Sequence, residues 1–159
     1  MLDGVEFRLN TPYTADLSQI ADRIIYTGPI DEFYQYRFGA LEYRGLRFET
    51  KTLDMPNFQG NAVVNFTERE IPYTRVIEHK HFAFGQQPKT IVTYEYPAEW
   101  KPGEAPYYPI NDERNNALYQ KYLAQATDNI IFAGRLGAYR YLDMSVAVQE
   151  ALDLVKKLV

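Results

Sequence analysis

Arginine and tyrosine, rather than cysteine, are the residues through which this sequence could do chemistry. Cysteine is absent, which removes disulfides, thiol nucleophiles and thiolate metal sites together. Tyrosine is in excess: 14 Tyr beside 9 Phe and 1 Trp make 15% of the chain aromatic, more than a core of this size consumes, so several must face a cleft, a partner or solvent. A tyrosine joins a flat apolar body to a neutral donor, a pairing used where sugars, bases or phosphates are held. Three stretches concentrate such groups: Tyr73-Thr74-Arg75, Pro106-Tyr107-Tyr108-Pro109, and Gly134-Arg135 through Tyr141. Taken alone in a strand, Arg75 reads first as a surface or cross-strand charge, and Tyr107 and Tyr108 as rim fillers between prolines. His79 and His81 would face one side of a strand, a spacing that suits a metal, but no third ligand lies near and structural hydrogen bonding is the simpler role. Glu68, Arg69 and Glu70 read as a solvated turn, and Trp100 as a packing residue.

The elements that must position these groups follow from hydrophobic period and punctuation. Val5, Phe7 and Leu9 alternate with polar neighbours and predict a short strand; Arg23-Ile24-Ile25-Tyr26 predicts a buried one, stopped by Gly28-Pro29. Ile30, Phe33, Tyr34 and Phe38 fall at helical spacing up to a stop at Gly39. From Leu41 to about Tyr96 the period becomes two. Leu46 with Phe48, Ala62–Thr67, Thr74–His79 and Thr90–Tyr96 then read as short strands of a mostly antiparallel sheet. Pro97 to Pro109 holds four prolines in thirteen residues and reads as a linker or rim. Beyond it come a helix over 111–126, a short strand Ile130-Ile131-Phe132, a glycine-containing turn at Gly134–Gly137, and a final helix from Ser145 to Leu158. In that last helix Val148, Leu152, Val155 and Val159 share a face, and Asp143 stands where a cap would. A strand, a glycine turn and the start of a helix leave free backbone N–H groups where an electron-rich group or phosphate can sit. The fold class is α+β.

A net charge of −4 and a pI near 5.2 remove the basic surplus through which counterion release drives nucleic-acid binding. No apolar run reaches membrane-spanning length, and Met1-Leu2-Asp3-Gly4 has no signal-peptide character, so the expected location is the cytoplasm.

The segment Gly134-Arg135-Leu136-Gly137-Ala138-Tyr139-Arg140-Tyr141-Leu142-Asp143-Met144 resembles the C-terminal signature of bacterial UDP-galactopyranose mutases. Three further stretches agree in order: Tyr26-Thr27-Gly28-Pro29-Ile30-Asp31, Pro72-Tyr73-Thr74-Arg75 running into Glu78-His79-Lys80-His81-Phe82, and Pro106-Tyr107-Tyr108-Pro109. That family interconverts UDP-galactopyranose and UDP-galactofuranose with reduced FAD and no net redox change, supplying cell-surface polysaccharide synthesis. The resemblance implies that Arg75, Tyr108 and Tyr141 donate to the substrate diphosphate and act as the catalytic groups. Asn65 would be a further substrate contact, and Arg135, Leu142, Asp143 and Met144 would lie on the flavin side. It also implies that 1–29 and 106–159 are segments of a Rossmann-like FAD-binding domain, and that 30–105 is the antiparallel substrate domain.

The family's Gly-rich flavin-binding start has no counterpart in this sequence, which contains no GxGxxG. The expectation is therefore the C-terminal part of the enzyme, whose partner is the N-terminal half of the same protein in a homodimer. Alone, it would bind flavin weakly and be inactive. The alternative is a stand-alone module that binds a nucleotide sugar or a protein without catalysis.

Overall fold

The computed structural model describes residues 3–158; Met1, Leu2 and Val159, which enter the reading above, lie outside them. The elements in chain order are β1 (Ile24–Tyr26), α1 (Ile30–Phe33), β2 (Tyr43–Leu53), β3 (Val63–Asn65), β4 (Arg75–Glu78), β5 (Thr90–Glu99), β6 (Tyr108–Pro109), α2 (Glu113–Leu123), β7 (Ile130–Phe132), α3 (Gly134–Gly137) and α4 (Met144–Leu158). Short 3-10 turns cover Ala15–Gln19 and His79–Ala83.

The strands form an antiparallel five-stranded sheet of order β3-β4-β5-β2-β6 and a separate pair β1-β7. That pair is parallel, with Ile24 opposite Ile130 and Tyr26 opposite Phe132. The chain is thus α+β, its antiparallel sheet enclosed in sequence by a short parallel ladder.

The backbone of the sheet is one long hairpin-like pairing. Ten residues of β2 oppose ten of β5, from Arg44↔Glu99 to Leu53↔Thr90. Strand β4 then adds to the far side of β5 through Arg75↔Glu95 to Glu78↔Val92. The core lies where α1, α2 and α3 meet the start of β2, around the fully buried Ile30, Leu41, Tyr43, Tyr122 and Tyr139. Tyr122 and Tyr139 sit there with their hydroxyls satisfied by backbone: Tyr122 Oη donates to Gly39 O at 2.6 Å and accepts from Phe38 N at 3.0 Å, whereas the buried Tyr43 Oη has no hydrogen-bond partner among the described residues. Helix α2 starts where Asp112 Oδ1 accepts from Asn115 N at 2.7 Å, an N-cap.

A second buried knot lies under the connection between β2 and β3. Glu78 is wholly buried beside Val76 and Val92. Its Oε1 accepts from Phe58 N (3.0 Å) and Thr90 Oγ1 (2.7 Å), and its Oε2 from Gln59 N (2.9 Å). Burial by itself raises this carboxyl, but the Gln59 amide, the Thr90 hydroxyl, the Phe58 amide and His81 outweigh it and bring the pKa down to about 2.

Several expectations need correction. Val5, Phe7 and Leu9 form no strand; among the described residues no neighbouring strand pairs with them, and their side chains are exposed. The first helix ends at Phe33 instead of reaching Gly39, because Gln35 and Tyr36 turn left-handed (φ 54° and 56°). The buried Asp31 Oδ2 accepts from Leu41 N at 2.8 Å, closing that turn. Leu46 and Phe48 belong to an eleven-residue strand. The strands expected over Ala62–Thr67 and Thr74–His79 shorten to β3 and β4, since His79 enters a 3-10 turn. Strand β5 runs through Pro97 to Glu99, into the expected linker. Strand β4 stops at Arg75 opposite Glu95, so on that side no ladder awaits the missing proline N–H. The end of the Pro-rich stretch also joins the sheet, as β6. The helix expected over 111–126 is confined to Glu113–Leu123. Gly134–Gly137 is a single helical turn, and the last helix begins at Met144, one residue early.

Candidate functional site

Register alone brings the first group of candidate residues together. Asn65 opposes Arg75, Arg75 opposes Glu95, and Glu95 opposes Phe48, so the four side chains line one row on one face of the sheet. Within the row Arg75 Nε donates to Asn65 Oδ1 at 3.0 Å, and Nη1 lies 3.5 Å from Glu95 Oε2. Thr74 Oγ1 reaches the other oxygen, Glu95 Oε1, at 3.3 Å. Glu95 is nearly buried while the Arg75 side chain keeps 39% of its surface. The result is a guanidinium held on two sides and open on a third, which suits it to an external anion. Glu95 was not anticipated. A carboxylate between Tyr94 and Tyr96 in a strand is the signal that could have found it, since an inward-facing acid needs a cation opposite.

One row further along, Thr93 Oγ1 lies 2.8 Å from both Thr50 Oγ1 and His79 Nε2. His81 goes elsewhere: its Nε2 lies 3.0 Å from Glu78 Oε2, on a residue whose parity places it on the opposite face. The 3-10 turn at His79–Ala83 is what separates the two histidines, so they do not face one side as a strand would have required. Among the described residues no group of three or more His, Cys, Asp or Glu could hold a metal ion.

The second group forms where β6 meets α3. Tyr108 opposes Arg44, whose parity is that of Phe48, so Tyr108 lies on the same face as Arg75. The two rows stand four residues apart on β2, about 13 Å at the strand rise. The Tyr108 ring meets that of Tyr141 at 5.7 Å between centroids and 36° between planes. Arg135 Cζ stands 5.2 Å from the Tyr108 centroid and 5.3 Å from that of Tyr141, within cation–π range of both. Its Nη1 donates to Tyr107 O at 3.3 Å and its Nη2 to Leu142 O at 2.9 Å. Arg135 therefore ties the two tyrosine-bearing segments by their backbones while lying on their rings. The Tyr107 ring turns instead to Phe48, 5.9 Å away.

Close packing makes this arrangement possible. A Cβ on Gly137 would lie 2.6 Å from Tyr26 O, so only glycine lets α3 approach β1. Trp100 packs edge-on to Tyr43 and its Nε1 donates to Glu104 O at 2.9 Å, a packing role.

The remaining candidates gather at the start of α4. Leu142 is buried, whereas Asp143 and Met144 are exposed. The Asp143 carboxylate lies beside the exposed Tyr141 hydroxyl, accepts from it and raises its pKa, with the carboxylate charge adding to the effect. Asp143 O accepts from Ala147 N at 2.9 Å, which opens the helix. Among the described residues no helix is long and apolar enough to cross a membrane.

A family model described as UDP-galactopyranose mutase (GLF) matches residues 1–141. The probable UDP-galactopyranose mutase of Klebsiella pneumoniae is 40% identical over 153 residues, covering 94% of this chain and 40% of that protein. The dTDP-fucopyranose mutase of Escherichia coli is 40% identical over 133 residues (82% and 35%). The UDP-galactopyranose mutase of Mycoplasma pneumoniae is 37% identical over 147 residues (87% and 37%). The chain spans 35% to 40% of the length of these relatives. With a family match over most of its residues, the chain belongs to the UDP-galactopyranose mutase family.

Proposed function

We propose that this chain supplies the diphosphate-facing part of a flavin-dependent nucleotide-sugar mutase, one that interconverts UDP-galactopyranose and UDP-galactofuranose. The observation that carries the reading is the placement of Arg75 with Asn65, and of Tyr108 with Tyr141, on one face of the sheet. Changing the ring size of a sugar nucleotide requires the anomeric bond to the diphosphate to break. Negative charge then grows on the departing oxygen, and donors aimed at it stabilise the transition state more than the bound substrate. Arg75 offers its open edge, each charge-assisted bond contributing about 1.5–3 kcal/mol. Tyr108 adds a neutral hydroxyl donor that need not be desolvated as a charge, and Tyr141 adds another when a diphosphate oxygen replaces Asp143 as its acceptor. Two relatives are named for different bases and sugars, UDP-galactopyranose and dTDP-fucopyranose, yet both substrates carry a diphosphate. Assigning these residues to the diphosphate fits both.

When bound, reduced FAD supplies electron density to the sugar, with no net redox change. The residues proposed to hold it fit such a group. Asp143 is an exposed acceptor for hydroxyls. Met144 opens a fifteen-residue helix whose first amides have no intrahelical partner. Arg135 has committed one donor from each of two nitrogens and retains the rest of its five. Leu142 is left with its backbone N–H, since its carbonyl is taken. On this reading the isolated chain holds flavin weakly and turns over no sugar nucleotide.

The test is calorimetric titration of this chain with UDP, uridine and inorganic diphosphate. UDP should bind and uridine should not, and Arg75→Ala should weaken UDP by about tenfold or more, the equivalent of one lost charge-assisted bond. Equal affinities for UDP and uridine, or an unchanged Arg75→Ala variant, would sink the assignment.

A further inference from the structure

The turn that carries Tyr141 contains one residue whose strain and bonding the site has not yet used. Tyr139 is 1% exposed and has a left-handed backbone, φ 46°, a conformation that a bulky side chain adopts only when its surroundings hold it there. Its hydroxyl donates to Glu42 O at 2.6 Å and lies 3.1 Å from Ile110 O. Those two carbonyls sit together at one end of the short β2-β6 pairing: Glu42 precedes β2 and Ile110 follows β6, and the two face each other, with Ile110 N donating to Glu42 O at 3.1 Å. The ring is fixed on two sides, edge-on to Tyr43 and stacked on Tyr119. Burial raises its hydroxyl well above the ordinary tyrosine range, so it stays a neutral donor.

We infer that Tyr139 is the positioning residue that sets Tyr141 against Tyr108. Its hydroxyl pins the turn after α3 to both strands at the Tyr43–Pro109 end of the β2-β6 junction, and its left-handed backbone reverses the chain so that the ring two residues on meets Tyr108. Arg135 then closes the pair from the other side. This inference rests on the proposed diphosphate role of Tyr108 and Tyr141 for its functional meaning. Its geometric content, that one buried hydroxyl fixes the ring pair, is independent of that role.

The experiment compares two single-oxygen deletions in this chain, Tyr139→Phe and Tyr122→Phe. Tyr122 is the matched control: it is as buried and its hydroxyl also makes two backbone hydrogen bonds, but to Phe38 and Gly39. Each variant is read by the NMR contact between the Tyr108 and Tyr141 rings and by UDP titration. Tyr139→Phe should lose most of the ring contact and weaken UDP by about tenfold, the scale on which small misplacements of donors act. Tyr122→Phe should keep both while losing comparable thermal stability. An intact ring contact in Tyr139→Phe, or equal loss in both variants, overturns the inference. Should Tyr139→Phe be unfolded in buffer, both variants are compared in trimethylamine N-oxide, which favours the compact state, with the same two outcomes. If the wild-type chain binds no UDP, the diphosphate reading fails, while the ring contact still decides the role of Tyr139.

Discussion

Replacing Glu78 by Gln changes one oxygen to an amide and leaves the shape of the side chain intact, which makes its cost a direct reading of the buried knot. Glu78 accepts from the Phe58 and Gln59 amides and the Thr90 hydroxyl, with His81 Nε2 3.0 Å away. A glutamine amide turned toward Oε2 would face the Gln59 N–H donor to donor. Turned toward Oε1, it would face the Phe58 N–H, where only the Thr90 hydroxyl can rotate to accept. Either orientation leaves at least one buried amide unpaired, costing about 1–3 kcal/mol, and turns the remaining charge-assisted bonds into neutral ones. The expected loss is about 3 kcal/mol, or a fall of roughly 6–12 °C in Tm for a chain of this size.

Urea denaturation followed by circular dichroism measures it, with the half-exposed Glu49→Gln as a control expected to keep the wild-type midpoint. The pH dependence carries the sign. A carboxyl lowered from 4.5 to about 2 on folding contributes stability that is present in full above the unfolded value and is lost as pH falls through the folded one. The gap between wild type and Glu78→Gln should therefore hold steady at neutral pH, shrink below about 4.5 and close near 2. A variant as stable as wild type at neutral pH would refute the claim that this carboxylate anchors the connection between β2 and β3.

Two further substitutions test how the site is held. Gly137→Ala should destabilise by about 1–3 kcal/mol through overlap with Tyr26 O, although alanine is the better helix former; a gain in Tm would show that α3 has room. Asp112→Ala should cost about 1–2 kcal/mol, through the lost cap on Asn115 N and the lost bond from Asn115 Nδ2. An unchanged urea midpoint would mean that α2 does not depend on its cap.

What could be read from the sequence was what depends on near neighbours. Ile24–Tyr26 and Ile130–Phe132 are apolar runs bounded by turn residues, and both are strands. The alternation in Thr90–Tyr96 gives the inner part of β5, and the valines of α4 fall on a helix as their spacing required. The errors share one cause, a dependence on partners far along the chain. Val5, Phe7 and Leu9 have strand alternation but no strand beside them. Pro97 would end a central strand, yet it sits where β4 has already stopped. The left-handed turn at Gln35 and Tyr36 follows from Asp31 capturing Leu41 N, a bond that local propensity does not contain. At the site, the separate segments bearing Arg75, Tyr108 and Tyr141 were identified by resemblance. Their sharing of one sheet face depends on a register that only the pairing of β2 with β5 and β6 defines. Glu95 stands out in the sequence as an acid within a strand, but that Arg75 is its counter-charge depends on the same register.

The parallel pair β1-β7 also bears on the order in which the chain can fold. Its first matched residues, Ile24 and Ile130, are 130 − 24 = 106 positions apart, whereas the antiparallel neighbours β3 and β4 are joined by a short connection. Loop-closure entropy grows with the logarithm of that separation, so long-range pairs come late and short-range hairpins early. The four strands β3-β4-β5-β2 of the antiparallel sheet, with the Arg75 row on them, can form as soon as β5 has emerged during synthesis. The ring pair of Tyr108 and Tyr141 must wait for α3, which docks only when β7 has found β1. Assembly of the two halves of the proposed diphosphate site is thus sequential, and the junction pinned by Tyr139 is its last step.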